Sequence, residues 1–128
     1  MKLIYRYLTR IIMNKINDEI IRLVNKKIIQ VSIGEYQVQL NMELNYSILV
    51  ESSIEFIFKD NTVVYNVNTS DRNDFLFMCH GRTIKEAIFL NDNSLMLKLD
   101  NGITLKINCV GNGNESYQIN LQDDYLVF

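Results

Sequence analysis

Leu95-Met96-Leu97-Lys98-Leu99-Asp100-Asn101-Gly102-Ile103-Thr104-Leu105-Lys106-Ile107 consists of two alternating runs joined by Asp-Asn-Gly. Successive side chains of a strand point to opposite faces, so Leu95, Leu97 and Leu99 share one face and Leu105, Ile107 and Cys109 continue it. Asn-Gly between two such runs is a strong hairpin signal, because a type I′ turn needs positive φ at both central residues. The stretch therefore predicts an antiparallel hairpin that turns at Asn101 and Gly102.

The same pattern occurs upstream. Val38-x-Leu40-x-Met42 followed by Ile48-x-Val50 repeats Leu95-x-Leu97-x-Leu99 followed by Leu105-x-Ile107 at a constant offset of 57 residues. Ile28 and Ile84 open the two units at nearly the same distance. Ile29, Val31 and Ile33 alternate with polar residues, as do Ile54, Phe56 and Phe58, then Val63 and Tyr65. Gly34-Glu35 and Asp60-Asn61 read as turns. Asn112-Gly113 reads as a turn before a strand over Glu115–Leu121, and Tyr125–Phe128 as a final strand. The expected fold is mainly β (α+β): a duplicated antiparallel β-meander that forms a sandwich or a curled barrel.

Two helices interrupt this pattern. Asn14 or Asn17 caps a short one, with Ile16, Ile20, Leu23 and Val24 at helical spacing. Asp18 and Glu19 near its start and Lys26 and Lys27 at its end suit the helix dipole. Ser70-Asp71-Arg72-Asn73-Asp74-Phe75-Leu76-Phe77-Met78-Cys79-His80-Gly81 reads as the second, capped by Ser70 or Asp71 and closed by Gly81 in a left-handed conformation. Asp71 and Asp74 match no calcium-loop spacing and read as capping residues.

The chain has 128 residues, 48% of them apolar, with no Trp, no Pro and a single alanine, Ala87. That composition suits one globular domain rich in strands. Its expected parts are an N-terminal extension (1–12), a basic helix (13–27), a first β unit (28–68), a helix (69–81) and a second β unit (82–128). Arg6 and Arg10 interrupt the apolar run of residues 1–12, which makes a poor signal peptide. Met13 reads as an alternative start. No stretch approaches the roughly 20 apolar residues of a membrane span, and a cytoplasmic location is expected. Charge is uneven. Residues 1–27 carry seven basic and two acidic side chains, a net of +5, and residues 28–128 carry six basic and thirteen acidic ones, a net of −7.

No motif for catalysis or for a metal stands out. Cys79 and His80 are adjacent, so their side chains diverge in a strand and by about 100° in a helix; Cys109 with His80 stays open. One His and two Cys do not furnish a four-ligand zinc site. Gly111 and Gly113 lack the rest of a phosphate-loop or dinucleotide motif, and no Gly-x-Ser-x-Gly elbow occurs. Glu51 with Glu55, and Asp123 with Asp124, are paired by proximity alone, with Ser52-Ser53 interrupting the first pair. Tyr5, Arg6, Tyr7 and Arg10 form a small basic-aromatic patch, but the acidic body argues against nucleic acid. No enzyme activity, cofactor or metal is expected.

The second half carries a resemblance. Gly81-Arg82-Thr83-Ile84 opens a strand, Ser94 through Leu105 forms the hairpin, and Glu115-Ser116-Tyr117-Gln118-Ile119 closes. This resembles a family of small uncharacterised bacterial β-rich domains with a Gly-Arg-Thr-Val opening, a Leu-x-Leu-x-Phe-x-Asp-Gly-x-x-Leu hairpin and a Glu-Ser/Ala-Trp-Glu/Gln-Leu ending. Tyr117 stands where that pattern has Trp, and Leu99 where it has Phe. The resemblance covers residues 81–119 and, more loosely, 25–67. It implies an immunity or antitoxin-type protein that binds and blocks a protein partner, with Glu115, Tyr117 and Gln118 as contact residues. The competing expectation is structural: Tyr117 plugs one end of the fold and Glu115 accepts backbone hydrogen bonds. An inhibitor of host defence carried by a phage or mobile element, and a small-molecule-binding barrel, are the alternatives. A strand pattern this rich in Ile, Leu and Phe predicts a filled interior.

Overall fold

The computed structural model describes residues 2–68, 74–111 and 115–128. Helix α1 (Lys2–Ile20) runs into a 3-10 turn at Ile21–Leu23. It thus begins well before Asn14, and the residues expected as an extension are its first turns. No Gly or Pro separates residues 2–12 from the amphipathic segment, so nothing stops the helix there. Among the described side chains, those that reach the core lie in its C-terminal part. Ile20 and Leu23 are fully buried, and Met13 and Ile16 pack partly against the core.

The strands are β1 (Ile28–Ile33), β2 (Val38–Met42), β3 (Tyr46–Val50), β4 (Ser53–Phe58), β5 (Asn61–Asn66), β6 (Ile84–Phe89), β7 (Leu95–Leu99), β8 (Thr104–Ile107), β9 (Tyr117–Leu121) and β10 (Tyr125–Val127). A short helix, α2 (Asp74–Phe77), precedes β6. The caps expected at Ser70 and Asp71, and the turn at Asn112-Gly113, lie outside the described residues. The strands form two antiparallel sheets. Sheet I has the order β1-β2-β3-β9-β10, and sheet II the order β5-β4-β8-β7-β6. The two do not close into a barrel. The apolar positions of both feed one core, which is the sandwich form of the expected fold.

The duplication runs deeper than the sequence pattern. Each half contributes a three-stranded meander to one sheet and a two-stranded hairpin to the other. Val50 opposite Tyr117 and Ile48 opposite Ile119 in sheet I match Ile107 opposite Ile54 and Leu105 opposite Phe56 in sheet II. A bulge between Ile28 and Gln30 recurs between Ile84 and Glu86. Reciprocal backbone bonds mark a pseudo-two-fold axis. Ile28 N donates to Arg82 O at 2.8 Å and Ile84 N to Lys26 O at 2.9 Å, while Asn25 N donates to Ile84 O and Gly81 N to Ile28 O, both at 2.7 Å. Asn25 and Gly81 take the left-handed conformation at φ 70° and 78°.

At Asp100-Asn101-Gly102 the hairpin forms as expected, but its turn differs. Only Gly102 has positive φ, 87°, and Leu99 N donates to Ile103 O at 2.9 Å. This is a three-residue connection ending in a left-handed glycine, not a two-residue type I′ turn. Asn101 is used otherwise: its side chain accepts from Ile103 N and donates to Met78 O, tying the turn to the segment after α2.

Candidate functional site

The residues expected at a contact surface fall in three environments. Tyr117 is buried, 1% exposed, on the inner face of β9. Its hydroxyl donates to Asn93 O at 2.7 Å in the β6–β7 turn, and its ring stacks on Phe128 at 5.0 Å. One side chain thus ties sheet I to a turn of sheet II, and burial raises its phenol well above the ordinary range. Glu115 is exposed just before β9. Gln118 is half-buried on the outer face of sheet I, between Leu49 of β3 and Val127 of β10. Glu115 and Tyr117 therefore do not share a strand face; the strand begins only at Tyr117.

Gln118 leads to the most distinctive surface of the molecule. Residues opposite one another in register share a face. The outer face of sheet I is then one row of Ser32, Gln39, Leu49, Gln118 and Val127, and a second of Gln30, Asn41, Ser47, Asn120 and Tyr125. None of these ten positions carries a charge. The amides are linked laterally: Gln39 Nε2 donates to Asn41 Oδ1 at 2.9 Å, and Asn41 Nδ2 to Gln30 Oε1 at 3.1 Å.

Sheet II offers an internal comparison, because the duplication places an equivalent residue at each position. There Glu86 faces Lys98, and Glu55 faces Lys106. Lys106 Nζ lies 3.9 Å from Glu55 and 3.3 Å from Asp92. Their sheet I counterparts are Gln30, Asn41, Gln118 and Leu49. Two carboxylates are matched by amides of the same shape, and two ammonium groups by an amide and a leucine.

Acids frame the uncharged face at both ends. Glu43, Asp123 and Asp124 lie in the β2–β3 and β9–β10 turns. Here the basic segment folds back on the body. Arg22 donates to Glu19 and Asp123 at 3.2 Å each and to Leu121 O at 3.0 Å, and Lys26 lies 4.8 Å from the Tyr46 ring centre. At the other end are Glu35, Glu51 and Glu115, none of them ion-paired among the described residues. Glu51 and Glu115 border a groove of about 250 Å³, where the chain crosses between the sheets, lined also by Ser53, Asn66, Asn68 and Ser116.

The remaining candidates are accounted for structurally. Cys79 is buried, and burial pushes its thiol up to about 12, so it stays protonated and unreactive. His80 points away, its Nε2 3.0 Å from Ile29 O. Cys109 sits by the crossover, its amide donating to Ser94 Oγ. Asp124 accepts from Tyr125 N and closes its own turn. Among the described residues no group of three or more His, Cys, Asp or Glu side chains converges as metal ligands, and no helix is long and apolar enough to cross a membrane.

Sequence reasoning reached Gln118 but not the other residues of the face. The signal is present: polar strand positions are amides and hydroxyls in β1–β3 and β9, whereas β6–β8 and β4 carry Lys and Glu beside the hydroxyls of Thr104 and Ser53. Recognising it required the pairing of β3 with β9, which joins the two halves. No protein-family model, curated protein or solved structure matches this chain.

Proposed function

We propose that this chain is a non-catalytic binding protein of the immunity or antitoxin type, which occludes a protein partner through the outer face of sheet I. The observation that carries the reading is the difference between two equivalent faces of one duplicated fold. Interface centres are depleted in Lys, Glu and Asp, whose desolvation is costly, while charges gather at the rim. Sheet I has this anatomy: ten uncharged positions framed by acids. The acidic frame suits a partner with a basic surface, since complementary charge speeds encounter and fixes orientation. A nuclease-like toxin has such a surface.

The test uses three baits in lysate of the source organism. They are the native chain, a sheet I variant carrying the sheet II charges (Gln118→Glu with Asn41→Lys), and a sheet II variant carrying the sheet I amides (Glu55→Gln with Lys98→Asn). The expected result is one stoichiometric protein, held by the native chain and the sheet II variant and lost from the sheet I variant. Co-expression of the native chain should relieve that protein's toxicity. Equal capture by all three baits, or recovery of nucleic acid or a small molecule without protein, overturns the reading.

A further inference from the structure

A second site is independent of the sheet I face. Helix α1 and the β6–β7 turn enclose a groove of about 450 Å³, bordered on the helix by Arg6, Arg10, Met13 and Asn14 and on the turn by Asn91. Arg6, Arg10 and Asn14 follow one another at four-residue spacing, so they line one edge of the helix. Two guanidinium groups one turn apart repel each other. Among the described residues neither meets a carboxylate. Asp92, adjacent to Asn91, is already engaged: Ser94 N donates to it at 3.0 Å and Lys106 lies 3.3 Å away.

The groove is held open by its base. Asn17 Nδ2 donates to Met13 O at 3.1 Å, and its Oδ1 accepts from Phe89 N at 2.9 Å. That second bond fixes the helix against β6, with Ile20 and Leu23 buried beyond it. A site held in place before its ligand arrives loses less ordering entropy on binding.

We propose that this groove binds a phosphate ester of nucleotide size. Guanidinium groups match phosphate oxygens in paired hydrogen bonds. Two of them offer more donors than the two oxygens of a carboxylate accept, whereas a phosphomonoester presents three terminal oxygens and up to two charges. The side-chain amides of Asn14 and Asn91 add neutral donors. Met13 gives an apolar, adaptable wall for the rest of the ligand. The volume lies within the roughly 300–1,000 Å³ of small-molecule pockets.

The full chain is titrated with adenosine 5′-monophosphate and, separately, with inorganic phosphate, by calorimetry at low salt and by the amide resonances of Asn91. Saturable binding of the nucleotide, tighter than that of inorganic phosphate and weakened by salt, is expected. Arg6→Gln and Arg10→Gln should each weaken it about tenfold or more, and Asn91→Ala, which leaves the helix untouched, should weaken it too. Lys15→Gln, on the same helix but outside the groove, should not. No saturable binding, equal affinity for the two probes, or nucleotide affinity unchanged in the double arginine variant overturns the assignment.

Discussion

Replacing Tyr117 by Phe removes one oxygen and nothing else. The ring keeps its 1% exposure and its stack on Phe128, but Asn93 O loses the donor that stood 2.7 Å away. Asn93 is itself exposed, so the loss is that of an ordinary hydrogen bond, about 0.5–1.5 kcal/mol. Unfolding entropy of about 2.1 cal/mol/K per residue gives roughly 0.27 kcal/mol/K for a chain of 128 residues, so the melting temperature should fall by about 2–6 °C. Tyr117→Ala opens a cavity as well and should cost about 3–5 kcal/mol, a drop of more than 10 °C. The assay pairs calorimetric melting at pH 7 with capture of the proposed partner. A core role predicts that Tyr117→Phe melts early and still binds. A variant that melts with the native chain and has lost its partner would refute the assignment of Tyr117 to the core, and with it the tie between the sheets.

Gly102→Val puts a β-branched residue at φ 87°. Its Cβ would stand 3.6 Å from the Phe58 ring, an ordinary contact, so the cost of about 1–2 kcal/mol is conformational and should lower the melt by about 4–7 °C; an unchanged melt would reject the left-handed turn. Cys79 gives a pH dependence. Burial raises its thiol from 9.0 to about 12 in the folded chain, so the folded state holds that proton more tightly than the unfolded state does. Its contribution is complete below about pH 9 and is lost as pH rises toward 12. Chemical denaturation between pH 8 and 11 should show the native chain losing stability faster than Cys79→Ala, and parallel curves would count against burial as the cause.

The alternation of Leu95–Ile107 and of Val38–Val50 places four strands and reveals the duplication, because period-two patterning reports burial directly. Three features were hidden for separate reasons. The start of α1 was missed because Ile4, Leu8, Ile11 and Ile12 do not pack on the body; each is 44–67% exposed, so the apolar pattern there reports no docking face. The turn type was missed because Asn-Gly fits more than one geometry, and the use of Asn101 by Met78 O is a tertiary contact. The exchange of hairpins between sheets was missed because β3 pairs with β9 and β4 with β8, across about 70 and 50 residues. That pairing also explains the uneven success at the site. Gln118 was found through its motif, whereas Gln39, Asn41 and Ser47 become its neighbours only once the halves interlock.

Differences between the halves of a duplicated fold separate what folding requires from what it does not. The inward positions have stayed apolar and in register, as a shared core demands. The outward positions are released from that demand, and charge there contributes little to stability. Folding therefore gives no reason for Gln30, Asn41, Gln118 and Leu49 to stand where the other half has Glu86, Lys98, Glu55 and Lys106. Solubility gives a reason against it, since charge on a sheet surface discourages association. The proposed contact with a partner would account for a face without charges whose frame keeps Glu35, Glu51 and Glu115: the centre is freed from ions that are costly to desolvate, and the rim keeps its long-range attraction. The charge-exchange variants separate the face from the fold. Each charge written into sheet I stands where the equivalent position of sheet II carries the same charge on an outward strand face, so the variant should melt within a few degrees of the native chain, and any loss of binding then belongs to the face.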